Sequence, residues 1–215
     1  MRLTHDAIRE GMNDLQKAAS ELEQGPTALS KVQSTLAELR RCILLHAKQE
    51  DERFFKILNE LFDGVVDKAG IPREHEVDIK DVRTVEERLA EFGAGRATAA
   101  AVREALNHWV AAAEAHLVHE EEVMMPLTEK VADAVEGRAA AVHRILSVDL
   151  DEYRAHQLPY VTRQLSRAEQ PGKLRMYVAA LKLVASPEEY ATYSGLIARS
   201  VTEQGRSALA QAGLL

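Results

Sequence analysis

The stretch His116-Leu117-Val118-His119-Glu120-Glu121-Glu122-Val123-Met124-Met125-Pro126 decides how the rest of the chain is organised. It contains a histidine followed four residues later by a glutamate, and the same pair occurs once more, as His46 and Glu50. In an α-helix four residues advance by about 400°, so the two side chains lie about 40° apart on one face and about 6 Å apart along the axis. An imidazole and a carboxylate placed in this way can bind one cation, or the carboxylate can bridge to a second. Two such pairs on facing helices would enclose a binuclear metal site.

Length and composition favour a helical protein with one main domain and an appendage. The chain has 215 residues, of which 46% are hydrophobic, 28% charged and only 5% aromatic. These fractions are ordinary for a globular protein, and 215 residues suit one domain with an extension better than two full domains. Alanine and leucine dominate the apolar residues, and no segment alternates as a strand would. We therefore predict an all-α fold.

Charge and apolar patterning exclude several kinds of partner. The net charge is -7, and no basic stripe is present, whereas phosphate contacts need clusters of Lys and Arg, so we expect no nucleic-acid binding. No apolar run approaches the roughly 18 residues of a membrane span, so we expect no membrane insertion. The first residues carry no apolar leader, and Cys42 is the only cysteine and cannot form an intramolecular disulfide. A cytoplasmic location is the expectation.

Apolar stripes at helical spacing predict helices whose core faces carry histidines. The first helix is expected to start at the N-cap residue Thr4, and Gly25-Pro26 ends it. Its stripe, extended back one turn, reaches His5, and continues as Ile8, Met12, Leu15, Ala19 and Leu22. The second helix has the core positions Val32, Leu36, Leu39, Ile43, His46, Glu50, Phe54, Ile57 and Leu61. Buried polar groups cost free energy unless they are paired, so polar residues at these positions need partners.

Two further helices repeat this arrangement. The third follows the break at Gly70-Ile71-Pro72, and its stripe is His75, Ile79, Val82 and Leu89. The fourth is expected to start near Thr98 and to kink or end at Pro126. Its stripe is Val102, Leu106, Trp109, Ala113, His116, Glu120, Val123, Leu127 and Val131. We predict an antiparallel up-down-up-down four-helix bundle over residues 1–135.

The composition changes after Gly137, and we predict a helical C-terminal extension over residues 136–215. All five tyrosines lie in this part of the chain, at Tyr153, Tyr160, Tyr177, Tyr190 and Tyr193. Ser186-Pro187-Glu188-Glu189 has the features of a helix start, with an N-cap serine, a proline at the first position and an acidic first turn. The extension could cover the bundle, bind a protein partner or form a homodimer.

Six polar residues on the apolar stripes are candidate metal ligands. They come from four helices and are His5, His46, Glu50, His75, His116 and Glu120. Facing core positions of a bundle are where such folds build metal sites. Imidazole and carboxylate donors suit iron, zinc, nickel or manganese, but six donors are too many for one tetrahedral zinc ion. They suit two octahedral ions that share the two glutamates and leave positions for water, hydroxide or a small ligand.

The order of these motifs resembles that of hemerythrin-like, HHE cation-binding proteins. The four motifs are Thr4-His5-Asp6, His46 to Glu50, Glu74-His75-Glu76 and His116 to Pro126, and the match covers about residues 1–130. The resemblance implies a non-haem centre of two iron ions joined by an oxo or hydroxo bridge. It also implies that Glu50 and Glu120 are bridging carboxylates and that the four histidines are terminal ligands.

Departures from the oxygen carriers of that family indicate a more reactive centre. Those proteins have a second histidine one turn after the third-helix histidine, where this chain has Ile79, and His-x-x-x-x-Asp in the fourth helix, where this chain has His116 to Glu120. One histidine fewer leaves a more open iron site, which would suit oxygen, peroxide or nitric oxide. The Glu-x-x-His motif of ferritin-like di-iron proteins is absent, which argues against that class.

Other residues have ordinary interpretations. His119 is about 60° off the stripe and is expected to lie beside the site or at the surface. Glu121 and Glu122 are expected to form a solvated acidic face, with a substitute ligand as the alternative. Cys42 is expected to be a small buried apolar residue, with a redox-sensing thiol as the alternative. His108, His143 and His156 are expected to be solvated or packing residues.

Three functions remain open at this point. The first is a di-iron protein that binds or reduces a small oxidant. Such a protein could be a peroxide- or oxygen-reactive oxidoreductase. The second is an iron- or oxygen-responsive sensor whose C-terminal helices form a protein-interaction module. The third is a metal-free helical adaptor. Metal content separates the third from the other two.

Overall fold

A computed structural model of the chain describes residues 2–134, 145, 147–167 and 171–215, apart from the side chains of 129 and 131–134. Within these residues every regular element is helical, which confirms the all-α prediction. His143 and the predicted boundary between residues 135 and 136 lie outside the described residues. The helices of the N-terminal part are α1 (Arg2–Ser20), α2 (Pro26–Gln49), α3 (Phe55–Leu61), α4 (Val65–Ala69), α5 (Ile71–Gly93) and α6 (Ala99–Ala134).

The helix ends follow the local sequence only in part. Helix α1 already begins at Arg2 and not at Thr4, because Leu3 and Thr4 pack inward and hold the first turn in place. Helix α2 starts at Pro26 after Gly25, whose φ of 110° is in the region that favours glycine. Helix α6 begins at Ala99, beside the expected start, and Thr98 caps it: its hydroxyl accepts a hydrogen bond from the Ala101 N–H at 3.2 Å.

Helix α6 continues through Pro126 to Ala134, so of the two expectations for this proline, a kink or an end, the end is ruled out. Proline removes one hydrogen-bond donor from a helix. Packing on both sides of Pro126 counters this loss. Met124 is fully buried, and Val123 and Leu127 pack against the same apolar cluster. Tertiary contacts thus keep the chain helical where local propensity favours a break.

The four long helices contact one another in a closed order. Helix α1 packs against α2 and α6, and α5 packs against the same two helices. Between α2 and α3 the chain passes through a π-helical turn, Glu50–Phe54, which the sequence did not reveal. Single π-helical turns inside α-helices are often found at functional sites, because the extra residue redirects the side chains around it.

The C-terminal helices pack onto the N-terminal ones. They are α7 (Leu150–Glu152), α8 (Leu158–Arg167), α9 (Pro171–Val184), α10 (Pro187–Ser200) and α11 (Glu203–Gln211), with a π-helical turn, Tyr153–Gln157, between α7 and α8. Helix α8 packs on α1, and the π-helical turn packs on α2. Ser186 forms the predicted capping box with Glu189 at the start of α10. No helix among the described residues is long and apolar enough to cross a membrane.

The apolar core consists of two clusters with a polar layer between them. The larger cluster includes Trp109 and reaches into the C-terminal helices. The smaller one joins residues of α3, α4, α6 and the neighbouring turns, including Phe55. His75 stacks on Phe55 with ring centroids 5.5 Å apart, while His46 and His116 share a cavity with Ile8 of the larger cluster. The candidate ligands therefore lie where the two apolar clusters meet.

Candidate metal centre

All six residues that the sequence singled out lie together in the protein interior. His5 comes from α1, His46 from α2, Glu50 from the π-helical turn, His75 from α5, and both His116 and Glu120 from α6. Each is at most 7% exposed, and His5 and Glu120 are fully buried. Helices distant in sequence thus bring every candidate ligand to one place.

The six side chains form two groups that share Glu120. One group is His5, His46, Glu50 and Glu120, and the other is His75, His116 and Glu120. Within each group the candidate ligand atoms all lie within 4.8 Å of one another. Each group could hold a cation, and Glu120 belongs to both groups.

The histidine Nε2 atoms converge on the two central carboxylates. His5 Nε2 lies 3.3 Å from Glu120 Oε2, and His116 Nε2 lies 3.3 Å from Glu120 Oε1. His46 Nε2 lies 3.5 Å from Glu50 Oε2. His75 Nε2 lies 3.2 Å from Glu120 Oε1 and 3.6 Å from Glu50 Oε2, so it is close to both carboxylates.

Several of these atoms are buried without a hydrogen bond. Among the described side chains, His5 Nε2, His46 Nε2, both oxygens of Glu50 and Oε2 of Glu120 have no hydrogen-bond partner. Native proteins satisfy nearly all buried polar atoms, so a cluster of exceptions requires an explanation. A cation held between the imidazole nitrogens and the carboxylate oxygens would satisfy all of them. The residues present therefore fit a bound metal.

An outer set of carboxylates orients three of the histidines. Glu121 lies 3.0 Å from Nδ1 of His5, Asp51 lies 3.0 Å from Nδ1 of His75, and Glu74 lies 2.8 Å from Nδ1 of His116. A carboxylate at Nδ1 fixes the tautomer in which Nδ1–H donates and Nε2 keeps its lone pair for a metal. This is the usual support of metal-binding histidines.

The expectation that Glu121 belongs to a solvated acidic face was wrong. The residue after Glu120 is rotated by about 100° along α6, which turns Glu121 towards α1. There it contacts His5 and accepts a hydrogen bond from Arg9 at 2.8 Å. Hydrogen bonds from His5 and Arg9 lower the pKa of Glu121 to about 2, so it is ionised at neutral pH.

His119 lies beside the site, as one of its two interpretations predicted. Its Nδ1 is 2.8 Å from Glu74, whose other carboxylate oxygen contacts His116.

Glu74 and Asp51, which belong to this outer set of carboxylates, were not predicted from the sequence. The available signal was their position, since each is next to a candidate ligand in the sequence. Which helix they face depends on interhelical packing, and periodicity does not give it.

Burial and neighbouring charges shift the pKa values of the two central carboxylates in opposite directions. Burial, with the nearby Glu120 carboxylate, raises the pKa of Glu50 to about 7. Burial acts on Glu120 in the same direction, but interactions with the imidazoles of His5 and His75 outweigh it, and its pKa lies well below the usual range. Burial also lowers the pKa of His46 well below its usual value. Glu50 and His46 can thus both be neutral until a cation binds.

A small cavity adjoins the second group of candidate ligands. It has a volume of about 20 Å³, and its wall includes His46, His75 and His116 together with Asp78 and Ile79. Ile79 stands where the oxygen carriers of the family have a second histidine, which is the substitution expected to leave an open site. Asp78 was not predicted, although it lies three residues after His75 and hence on the same face of α5.

Cys42 is buried, as its simpler interpretation predicted, and is 1% exposed. Burial raises the pKa of its thiol to about 12, so the reactive thiolate form is scarce at neutral pH. This environment gives no support to the alternative of a redox-sensing thiol.

Fold and site together define a helical protein whose buried histidines and carboxylates fit cation binding. The family model of the hemerythrin HHE cation-binding domain matches residues 1–127, and the chain belongs to this family. The matched range contains all six candidate ligands, and it confirms the resemblance that the motifs indicated. Searches of curated proteins and of solved structures gave no match to the chain.

Proposed function

We propose that the chain is a hemerythrin-like di-iron protein that binds or reduces a small oxidant such as oxygen, hydrogen peroxide or nitric oxide. In this proposal α1, α2, α5 and α6 form an antiparallel up-down-up-down bundle, and the six candidate residues ligate two iron ions. The observation that carries the proposal is the pair of ligand groups sharing Glu120. Bound iron would supply Lewis acidity and electrons for the oxidant.

The donor set is compatible with non-haem iron. Imidazole and carboxylate are the donors that non-haem iron uses, and the described site contains no thiolate, which zinc and copper often prefer. Two carboxylates would offset part of the charge of two divalent ions in a buried site. Glu120 would bridge the ions, and Glu50, close to both His46 and His75, is placed to do the same.

Even if Glu50 also bridges to the second ion, that ion would lack a full set of protein donors, which supports binding of a small ligand there. The first group has two histidines and two glutamates, whereas the second has two histidines and Glu120. An octahedral ion in the second group would keep positions open. The cavity beside His75 and His116 adjoins that side.

Reconstitution with iron tests the proposal. Aerobically loaded protein should show the near-ultraviolet absorption of a bridged di-iron centre and react with hydrogen peroxide. Glu120→Gln should lose both properties, because Glu120 belongs to both ligand groups. Glu122→Gln, at an exposed neighbouring position, is the matched control and should retain them. A Glu120→Gln variant that behaves as wild type would contradict the proposal.

An iron- or oxygen-responsive sensor is the second candidate function. The contacts that favour it are those of α8 with α1 and of the Tyr153–Gln157 turn with α2, because α1 and α2 carry His5 and His46. Metal binding at these histidines could bias how the C-terminal helices pack. Limited proteolysis with and without iron tests this function, and an unchanged cleavage pattern within 136–215 would count against it.

A further inference from the structure

Asp78 is a buried carboxyl group with no hydrogen-bond partner among the described residues. Its residue is 7% exposed, and it makes no hydrogen bond or ion pair with any described residue. It belongs to neither group of candidate ligands. Desolvation of an unpartnered carboxyl group costs free energy, so such a group persists where it interacts with something else.

The side chain lines the cavity beside the candidate metal centre. The same wall contains His75 and His116, and apolar side chains such as Ile8, Ile43 and Leu117 make up most of the rest. The Nδ1 atoms of His75 and His116 are in hydrogen-bond contact with Asp51 and Glu74, respectively. Their Nε2 atoms face the central carboxylates. Asp78 is therefore the one carboxyl group among the lining residues, and it is free to bind an occupant.

The size of the cavity limits that occupant to a very small molecule. Its volume is about 20 Å³, and roughly 10–15 Å³ is enough for one water molecule. A water needs polar partners, and a purely apolar cavity of this size stays dry. Asp78 makes this cavity polar on one side. A molecule with an O–H group satisfies the carboxyl group, whereas nitric oxide cannot donate a hydrogen bond.

We propose that Asp78 determines ligand specificity by forming a hydrogen bond with a small molecule in this cavity that carries an O–H group. In the resting protein this molecule is water, and during the reaction it is hydrogen peroxide. The inference deepens the proposed function and rests on it. It assigns the cavity to a protic ligand and disfavours nitric oxide. Asp78 itself does not ligate iron.

Two variants of Asp78 and one control test the inference. Asp78→Leu removes the polar group and keeps the branched shape of the side chain, and Asp78→Asn keeps hydrogen bonding at the same position. Asp81→Asn is the control, because it removes a carboxylate from the same helix, lies outside the cavity wall and faces His108 at 3.8 Å. For each protein we would measure iron per chain, the Tm without metal, and the rate constants for hydrogen peroxide and for nitric oxide.

The expected results separate specificity from a structural role. Asp78→Leu should retain iron and lower the ratio of the peroxide to the nitric oxide rate constant by about tenfold, which is about the contribution of one hydrogen bond. Asp78→Asn and Asp81→Asn should change this ratio by less than about threefold. Without metal, Asp78→Leu should raise the Tm by about 2–4 °C, since an unpartnered carboxyl group is removed.

Other outcomes would overturn the inference. Loss of iron in Asp78→Leu would make Asp78 a ligand, and a lower Tm without metal would show that the carboxyl group stabilises the fold. An unchanged rate ratio in a variant with full iron would refute the specificity role and leave the proposed function standing. If wild-type protein binds no iron, the proposed function fails and the inference fails with it.

Discussion

At the scale of single residues, the candidate centre depends on the protonation of two buried, neighbouring carboxyl groups, Glu50 and Glu120. Burial and the neighbouring carboxylate raise the pKa of Glu50 to about 7. Burial acts on Glu120 in the same direction, but interactions with the imidazoles of His5 and His75 keep its pKa low. A cation between them would allow both to ionise. The protonation of Glu50 therefore competes directly with metal binding.

We predict that Fe(II) affinity falls as the pH is lowered from about 8 to about 6, because the cation must displace the proton of Glu50 below its raised pKa. The pKa of His5 is also raised: burial lowers it, but its interactions with the carboxylates of Glu120 and Glu121 outweigh burial, so its proton acts in the same direction. Anaerobic calorimetry in two buffers of different ionisation enthalpy measures proton release. Equal proton release at the two pH values would contradict this assignment.

The outer carboxylates should control metal affinity without touching the metal. Glu121→Gln and Glu74→Gln remove the charge that orients His5 and His116, and we expect each to weaken metal binding by about 10–100-fold. Competition with a chelator of known affinity measures the change. Glu122→Gln is the control and should bind as wild type. Unchanged affinity in both outer variants would show that they are not needed for orientation.

At the scale of helices, the contact between α1 and α8 depends on the absence of a side chain at Gly11. A Cβ there would overlap the hydroxyl of Tyr160 and lie 3.0 Å from Leu39 Cδ1. Glycine inside a helix usually costs about 0.5–1 kcal/mol relative to alanine. Close packing against α8 is the reason for glycine at this position.

Gly11→Ala should therefore destabilise the protein by about 1–3 kcal/mol, as overpacking does, and not stabilise it. Adding Tyr160→Phe should recover part of this loss, because it removes the overlapping hydroxyl. Gly195→Ala on α10 is the matched control, since the nearest atom to its Cβ would be 3.7 Å away, and it should be neutral or stabilising. Urea denaturation measures all three, and a stabilising Gly11→Ala would contradict the α1–α8 packing.

The sequence predicted elements with a strong local signal and missed those set by packing. The histidines at His5, His46, His75 and His116 could be found because each interrupts an apolar stripe, and the Ser186 capping box because its motif is local. The sequence left open whether α6 would kink or end at Pro126, and the π-helical turn at Glu50–Phe54 could not be found, since it depends on contacts between helices. The same holds for Asp51 and Glu74, whose partners lie on other helices.

At the scale of the whole molecule, the N-terminal and C-terminal helices share one apolar cluster. Tyr153, Leu158 and Leu165 belong to the same cluster as Leu15 and Trp109. The division at residues 135 and 136 remains a prediction about chain organisation. The shared cluster indicates that the two parts depend on each other for stability.

We expect the full chain to unfold in urea in a single cooperative transition, with fluorescence of Trp109 and far-ultraviolet circular dichroism giving the same midpoint. A chain ending at residue 134 should be less stable, because removal of α8 exposes the apolar surface of α1. Two separate transitions in the full chain would show that the C-terminal helices fold independently.

Metal content per chain tests the central claim most directly. The protein should be loaded with iron, freed of unbound metal and measured by elemental analysis alongside a Glu50→Ala, Glu120→Ala double variant. The account predicts close to two iron ions per wild-type chain, since two ligand groups share Glu120, and a large loss in the double variant. Wild-type protein that binds no iron, or a double variant that keeps its full metal content, would contradict it.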